Sequence, residues 1–378
     1  MGKKFFWVSL ISIISSLPGS AFSWSWARGE IHGSWRNQTV FPSFPERKNS
    51  YTDNSTRLRL QLTGQPGQGF NWYVSYDLEW HLGDFTRSPD FALLEAVEQP
   101  TFLDLNGVLV EEKNFRLSHG LYRVFCRFTS GNIEVTAGRQ AVDWGSGRAW
   151  NIINPFPQVN PLDIERSDRQ GTDGLKFSLL LDNALSFTGV IAGKSGLDTP
   201  LVAGCFRYPL WQADALCVGY SDGRQNGFGF DFSRSIRSAE VHGAALYEQG
   251  EKTFSRFVLG MDYSFASTFK FALEYYHNGK GNRPGEYQWW SLLKGEEQFL
   301  AKDYGYWAMD YEVTPLLRFQ HTLLVNLGDG GVYLNPVVKY SPRSNTEISL
   351  GWASFVAGSG DEFFDYPDFA YLRVQIFF

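Results

Sequence analysis

Sulfur is scarce in this chain, with three cysteines and three methionines in 378 residues. Cys126 lies far from the other two, and Cys205 and Cys217 flank a tight turn expected at Pro209-Leu210. A two-residue turn puts those two thiols on opposite faces of a hairpin, so no disulfide is expected, and an odd count leaves at least one thiol unpaired. No Cys-x-x-Cys or His-x-x-x-His spacing occurs, which removes the usual metal motifs, and without Cys-x-x-Cys-His there is no covalent haem. No cofactor or metal is expected. After residue 23 no uninterrupted apolar run approaches the roughly 18 residues of a transmembrane helix. Charge of one sign is also missing: the net charge is −6, which gives no argument for nucleic acid. The six histidines (His32, His81, His119, His242, His277 and His321) form no evident Ser/His/Asp arrangement. The chain does not read as an enzyme.

What is present is aromatic and Gly-rich. Aromatics make up 17%, there are 38 glycines, and the mean hydropathy is −0.26. Alternation reconciles these values, because successive side chains of a strand point to opposite faces. Thr56-Arg57-Leu58-Arg59-Leu60-Gln61-Leu62 and Phe269-Lys270-Phe271-Ala272-Leu273-Glu274-Tyr275 alternate throughout. A wall with lipid on one side and water on the other needs this pattern. At the end of the sequence, Leu372, Val374, Ile376 and Phe378 share one face, and Tyr371, Arg373 and Gln375 share the other. This segment resembles the terminal signal read by bacterial barrel assembly machinery. At the start, basic Met1–Lys4, apolar Phe5–Leu17 and the small-residue sites around Ala21 and Ser23 read as a secretory signal peptide over 1–23. Outer membrane is the expected location, with outer-membrane lipid and lipopolysaccharide as surroundings.

Segment by segment, the alternation predicts an all-β, antiparallel up-and-down transmembrane barrel of about 18 strands, within about 16–20. It occupies 24–378 as one domain. Short connections fall on alternate links, which marks one end as periplasmic. The longer ones, 37–55, 81–114, 139–170, 278–302 and 357–368, then all fall on the extracellular side. A short helix is expected near Phe91–Val97.

Charged residues on the polar parity should face the lumen, since a charge on the lipid face costs roughly 2–4 kcal/mol near the midplane. The pore-lining candidates are Arg57, Arg59, Asp77, Glu79, Arg123, Arg127, Glu134, Lys176, Asp231 and Arg318. Two readings compete: structural pairing across neighbouring strands, or a basic side of a constriction that favours anions. The loop 139–170 is too long and too apolar for a plain connection. Its Arg139, Asp143, Trp144, Arg148, Asp163, Arg166 and Arg169 are constriction candidates, expected to fold inward and pair with the wall.

Gly138-Arg139-Gln140, Trp144-Gly145, Asn160-Pro161-Leu162-Asp163 and Arg169 to Asp173 are similar to a loop of proteobacterial porin-like outer-membrane proteins, near the alginate-export type of barrel. The resemblance implies an 18-stranded barrel that is basic inside, whereas the lumen here is mixed in sign. The expected role is a porin-like channel for passive passage of polar or anionic solutes. Alternatives are an export conduit for an anionic polysaccharide, a sheath for a periplasmic partner protein such as an electron-transfer cytochrome, or a sealed structural or surface-binding barrel.

Overall fold

The computed structural model describes residues 22–24, 29–43, 51–88, 91, 101–164, 169, 171–181, 185–194, 199–265, 268–288 and 297–378. The signal peptide up to Ala21, Arg166, and the expected helix beyond Phe91 lie outside the described residues. Phe22 and Ser23, at the expected leader's end, pair with Ile31 and Glu30.

Eighteen strands form a closed wall. They are β1 (Gly29–Ser43), β2 (Asp53–Gly67), β3 (Phe70–Leu82), β4 (Phe115–Ser130), β5 (Ile133–Gln140), β6 (Thr172–Leu180), β7 (Ser186–Ala192), β8 (Leu201–Leu210) and β9 (Ala213–Ser221). The second half comprises β10 (Asn226–Ile236), β11 (Ala239–Gln249), β12 (Thr253–Ser264), β13 (Phe269–Asn278), β14 (Asp303–Thr314), β15 (Leu317–Asn326), β16 (Val332–Arg343), β17 (Thr346–Val356) and β18 (Asp368–Phe377). Each pairs antiparallel with its sequence neighbour, and β1 meets β18 from Ser34↔Phe377 to Ser43↔Asp368. That last ladder closes the sheet and removes its edges.

The lipid face follows the apolar parity. Leu60, Phe228, Leu350 and Trp352 are exposed there. Near the short-turn end Tyr263 and Phe265 approach to 4.6 Å and Phe265 and Phe269 to 5.3 Å, part of an aromatic patch at one membrane boundary. His321 also lies on this face, edge-on to Trp307 at 5.5 Å.

Several expected boundaries move. Of the loop expected at 37–55, residues 37–43 and 53–55 are strand, because β1 and β2 keep pairing up to Val40↔Asp53. The turn expected at Pro209-Leu210 is made by Trp211 and Gln212, at φ 48° and 64°. Strand β8 therefore runs two residues further, with both turn residues in the left-handed region that primed hairpin turns require. Cys205 pairs with Val218, and Phe206 with Cys217, so the two thiols sit on opposite faces and are free.

The expected loop 81–114 contains one more strand, Asn106–Glu112, paired with the upper part of β4. Strand β5 occupies the same side of β4 lower down and stops at Gln140. One track of the wall is thus filled by two separate pieces of chain. Arg139 and Asp173 close the junction, with Arg139 Nε and Nη2 on the two Asp173 oxygens at 2.8 and 2.9 Å. Arg139 also donates to the carbonyls of Leu121 and Leu103, and Asp173 accepts the Leu103 N–H. By register these two side chains share the outward parity of Val124, yet both are only 3% exposed, because residues 101–105 cross over them.

The apolar core lies inside the barrel. Trp144, Trp150, Ile152, Ile153 and Phe156 pack on inward-facing Val190, Val218, Leu246, Val258 and Leu324. These wall residues break the expectation of a uniformly polar inner face.

Candidate permeation pathway

One side of the interior is basic. Arg36 on β1, Arg57 and Arg59 on β2, and Arg123 on β4 face inward and are each under a tenth exposed. Two of them meet acids on strand β3. Arg59 binds Asp77 through two parallel bonds of 2.6 Å, and Arg36 lies 3.7 Å from Glu79. Further round, Glu134 sits between Arg127 (3.6 Å) and Lys176 (3.3 Å), and Arg318 is 3.4 Å from Asp310. Cross-strand pairing therefore accounts for much of the interior charge, as the structural reading of the sequence expects. The short-turn half is the wetter part: Arg318, Arg148 and Arg127 are 49, 47 and 38% exposed.

A bulge shapes the basic side. Ser75 pairs with Arg123, but the next residue, Tyr76, pairs with Leu121, leaving Tyr122 extra on β4. Tyr122 and Arg123 then both reach inward despite being adjacent. The Tyr122 ring lies 3.8 Å from the Arg59 guanidinium and 4.4 Å from that of Arg123. Its hydroxyl and Arg123 Nη2 both donate to the Arg169 carbonyl, while the Arg169 guanidinium pairs with Asp143.

From Gln140 the chain turns into the lumen and crosses to the opposite, acidic side. There the Ser146 N–H (3.0 Å) and hydroxyl (2.8 Å) both donate to Asp231 on β10. Glu274 on β13 accepts the backbone N–H groups of Arg148, Ala149 (2.7 Å) and Trp150 (3.4 Å), with His242 Nε2 at 2.8 Å. Three successive amides converging on one carboxylate form a filled anion nest. The Arg148 side chain turns back to Asp262 at 2.5 Å and Glu240 at 3.3 Å. Beyond it Trp150 stacks on Tyr276 at 5.0 Å and meets Phe299 and Tyr306 edge-on. Each buried large side chain of this kind contributes roughly 1.5–3 kcal/mol, so the loop is cemented to this wall.

Two other connections join it. Glu362, 1% exposed in the segment between β17 and β18, accepts the Leu300 N–H (2.7 Å), the Tyr304 hydroxyl (2.5 Å) and Asn326 Nδ2 (3.0 Å). Burial pushes its carboxyl up to about 7, against the lowering effect of those donors and with Asp329 adding to the rise. Asp329 in turn accepts the Tyr287 hydroxyl and the Glu362 N–H.

The loop candidates sort differently from the sequence expectation. Asp143, Arg148 and Arg169 are inside the barrel and paired. Trp144 is a packing residue, edge-on to Phe156 at 5.2 Å. Asp163 accepts the Asn160 N–H within a local turn. Arg139 is corrected from the constriction to the wall: its strand pairs on to Gln140 before the chain leaves. Arg36 is missed although it shares the inward parity of Glu30 and His32. Tyr122 is missed because a bulge defeats strict alternation, and the inward folding of 297–302 and 357–367 leaves no period-2 signal at all. On β18, Leu372 is exposed on the lipid side, Ile376 is 5% exposed, and the Phe378 ring lies where a Cβ on Gly33 would stand.

A cavity of about 210 Å3 opens where the loop departs from β5, lined by Tyr73, Arg123, Phe125, Arg127, Gln140 and Ala141. Tyr73 and Phe125 stack there at 5.3 Å. It adjoins the basic wall.

No protein-family model and no curated protein matches this sequence. Its backbone is similar to solved structures across nearly its whole length. OccAB1 of Acinetobacter baumannii superposes with a TM-score of 0.61 at 11% identity, over 95% of this chain and 98% of that one. OccK5 (OpdH) of Pseudomonas aeruginosa gives 0.59 at 13% identity, over 92% and 97%. OccD3 (OpdP) of the same organism gives 0.59 at 12% identity, over 95% and 93%. At such identities the likeness establishes the architecture alone, a closed antiparallel barrel of 18 strands.

Proposed function

We propose that this barrel is an outer-membrane channel for passive passage of small polar solutes, with a preference for those carrying an anionic group. The observation that carries the reading is the asymmetry of the inward loop. It is bonded to Asp231 and Glu274 and packed on aromatics along one wall. Across from it stand Arg36, Arg57, Arg59 and Arg123. A solute crossing the loop level has no route through the packed apolar side, so it passes along the guanidiniums. A charged group moving there exchanges water for fixed cations, which favours anions and opposes cations. Lumen filling by three connections also argues against a conduit for a bulky polysaccharide or a sheath for a folded partner, since both need a wide continuous bore. The terminal strand, with its apolar parity outward, is the part offered to the barrel assembly machinery.

The test is the reversal potential of the refolded barrel in a planar bilayer under a salt gradient, beside Arg36→Ala and Arg57→Ala. Anion preference in the parent protein that falls in both variants is the expected result. A cation-selective parent, or a preference that both variants leave untouched, overturns the proposal.

A further inference from the structure

We propose that Tyr122 is a positioning residue that latches the return limb of the inward loop to the basic wall and so sets the width of the pathway. This rests on the channel reading above, and it deepens it. The bulge on β4 is what allows the latch. Without the extra residue, Tyr122 would point to lipid and Arg123 alone would face the lumen. With it, two adjacent side chains reach the same acceptor, the Arg169 carbonyl.

The ring has a second role. It is flanked by the Arg59 and Arg123 guanidiniums, 3.8 and 4.4 Å from its centroid. Cations over a tyrosine face are attracted by its quadrupole. The ring therefore holds two like charges close together in a part of the barrel where little water reaches them. Arg59 is fixed from its other side by Asp77. The hydroxyl ties down the loop and the ring ties down the guanidiniums. Arg169 extends the tie to Asp143, so the departing and returning limbs meet at this point. Space is tight: a Cβ on Gly171 would stand 2.4 Å from Arg139 Cγ and 2.7 Å from Arg123 Nη1.

The two halves of the role separate chemically. Tyr122→Phe keeps the ring between the guanidiniums and removes only the O–H. Tyr122→Leu removes both. Loss of one ordinary buried hydrogen bond corresponds to about a five-fold rise in the released population. Single-channel recording is expected to show high-conductance events about five-fold more often in Tyr122→Phe, with ion selectivity unchanged. Tyr122→Leu is expected to add a fall in anion preference. Hydrogen exchange on the peptide covering residues 160–174 gives a second readout that needs no current, and it should quicken in both variants. Folding is checked by heat-modifiability on gels. If Tyr122→Phe matches the parent in both event frequency and exchange, the latch is refuted. If the parent never conducts but exchange still quickens in Tyr122→Phe, the channel reading fails and the latch stands.

Discussion

Replacing Glu274 by Gln should release the inward loop from the acidic wall. In the parent, Glu274 Oε1 receives the Arg148 N–H and His242 Nε2, while Oε2 receives those of Ala149 and Trp150. An amide of the same shape has one oxygen, so its NH2 must face one of these two sets. If it faces the loop, the Ala149 and Trp150 donors lose their acceptor. If it faces the other way, the Arg148 N–H does. A hydrogen bond to a charged group is worth about 1.5–3 kcal/mol against about 0.5–1.5 for a neutral pair. Summed over the bonds weakened or lost, the anchor should fall by about 2–4 kcal/mol, which shifts the anchored-to-released ratio about 30- to 1,000-fold. The aromatic packing of Trp150 on Tyr276 is untouched, so release should be partial and local. Single-channel recording in a planar bilayer should show larger and noisier conductance steps in Glu274→Gln, with heat-modifiability unchanged. Identical step size and dwell times in a folded variant would refute the reasoning, and would mean that apolar packing alone fixes the loop.

Two further outcomes follow from other parts of the interior. Glu362 has a carboxyl raised from 4.5 to about 7 by burial, so the packed loops bind more protons than the released ones between those values. Their packing should therefore tighten as pH falls from about 7 towards 4.5 and level off at its loosest above about 7. Protection from hydrogen exchange in residues 297–302, relative to the free-peptide rate at each pH, should rise over that range, and in Glu362→Gln that protection should lose its pH dependence. At the wall junction, Arg139→Ala leaves Asp173 buried without its cation, a loss of about 3–5 kcal/mol. The unfolding midpoint on heat-modifiability gels should drop sharply, and the apolar pair Arg139→Met with Asp173→Leu should recover most of it.

Legibility in the sequence tracks periodicity. The wall strands are visible because lipid and water impose opposite demands on alternate residues, and Leu58 and Arg59 cannot exchange places cheaply. Strand ends are less visible, since β1 continues to Ser43 through Asn37, Gln38 and Thr39, residues that suit a loop equally well. The inward-facing charges are readable, and so is the cross-strand pairing of Arg59 with Asp77. The inward fold of 141–164 is readable too, because an apolar loop with Trp144 and Trp150 has to find cover. Arg139 is misassigned for a physical reason: nothing local shows that residues 101–105 return to cover it.

By itself the sequence determined a closed antiparallel wall, its lipid and lumen faces, and a long connection that must fold inward. Each follows from a local rule with period 2 or from the cost of leaving apolar side chains in water. Only the tertiary structure decided which wall receives the loop, that Glu274 and Asp231 are its anchors, and that Val218, Leu246 and Val258 face inward beneath it. Those choices join residues about 85 to 125 positions apart, and no periodic signal links them. The chain must close into a barrel before these groups share a space.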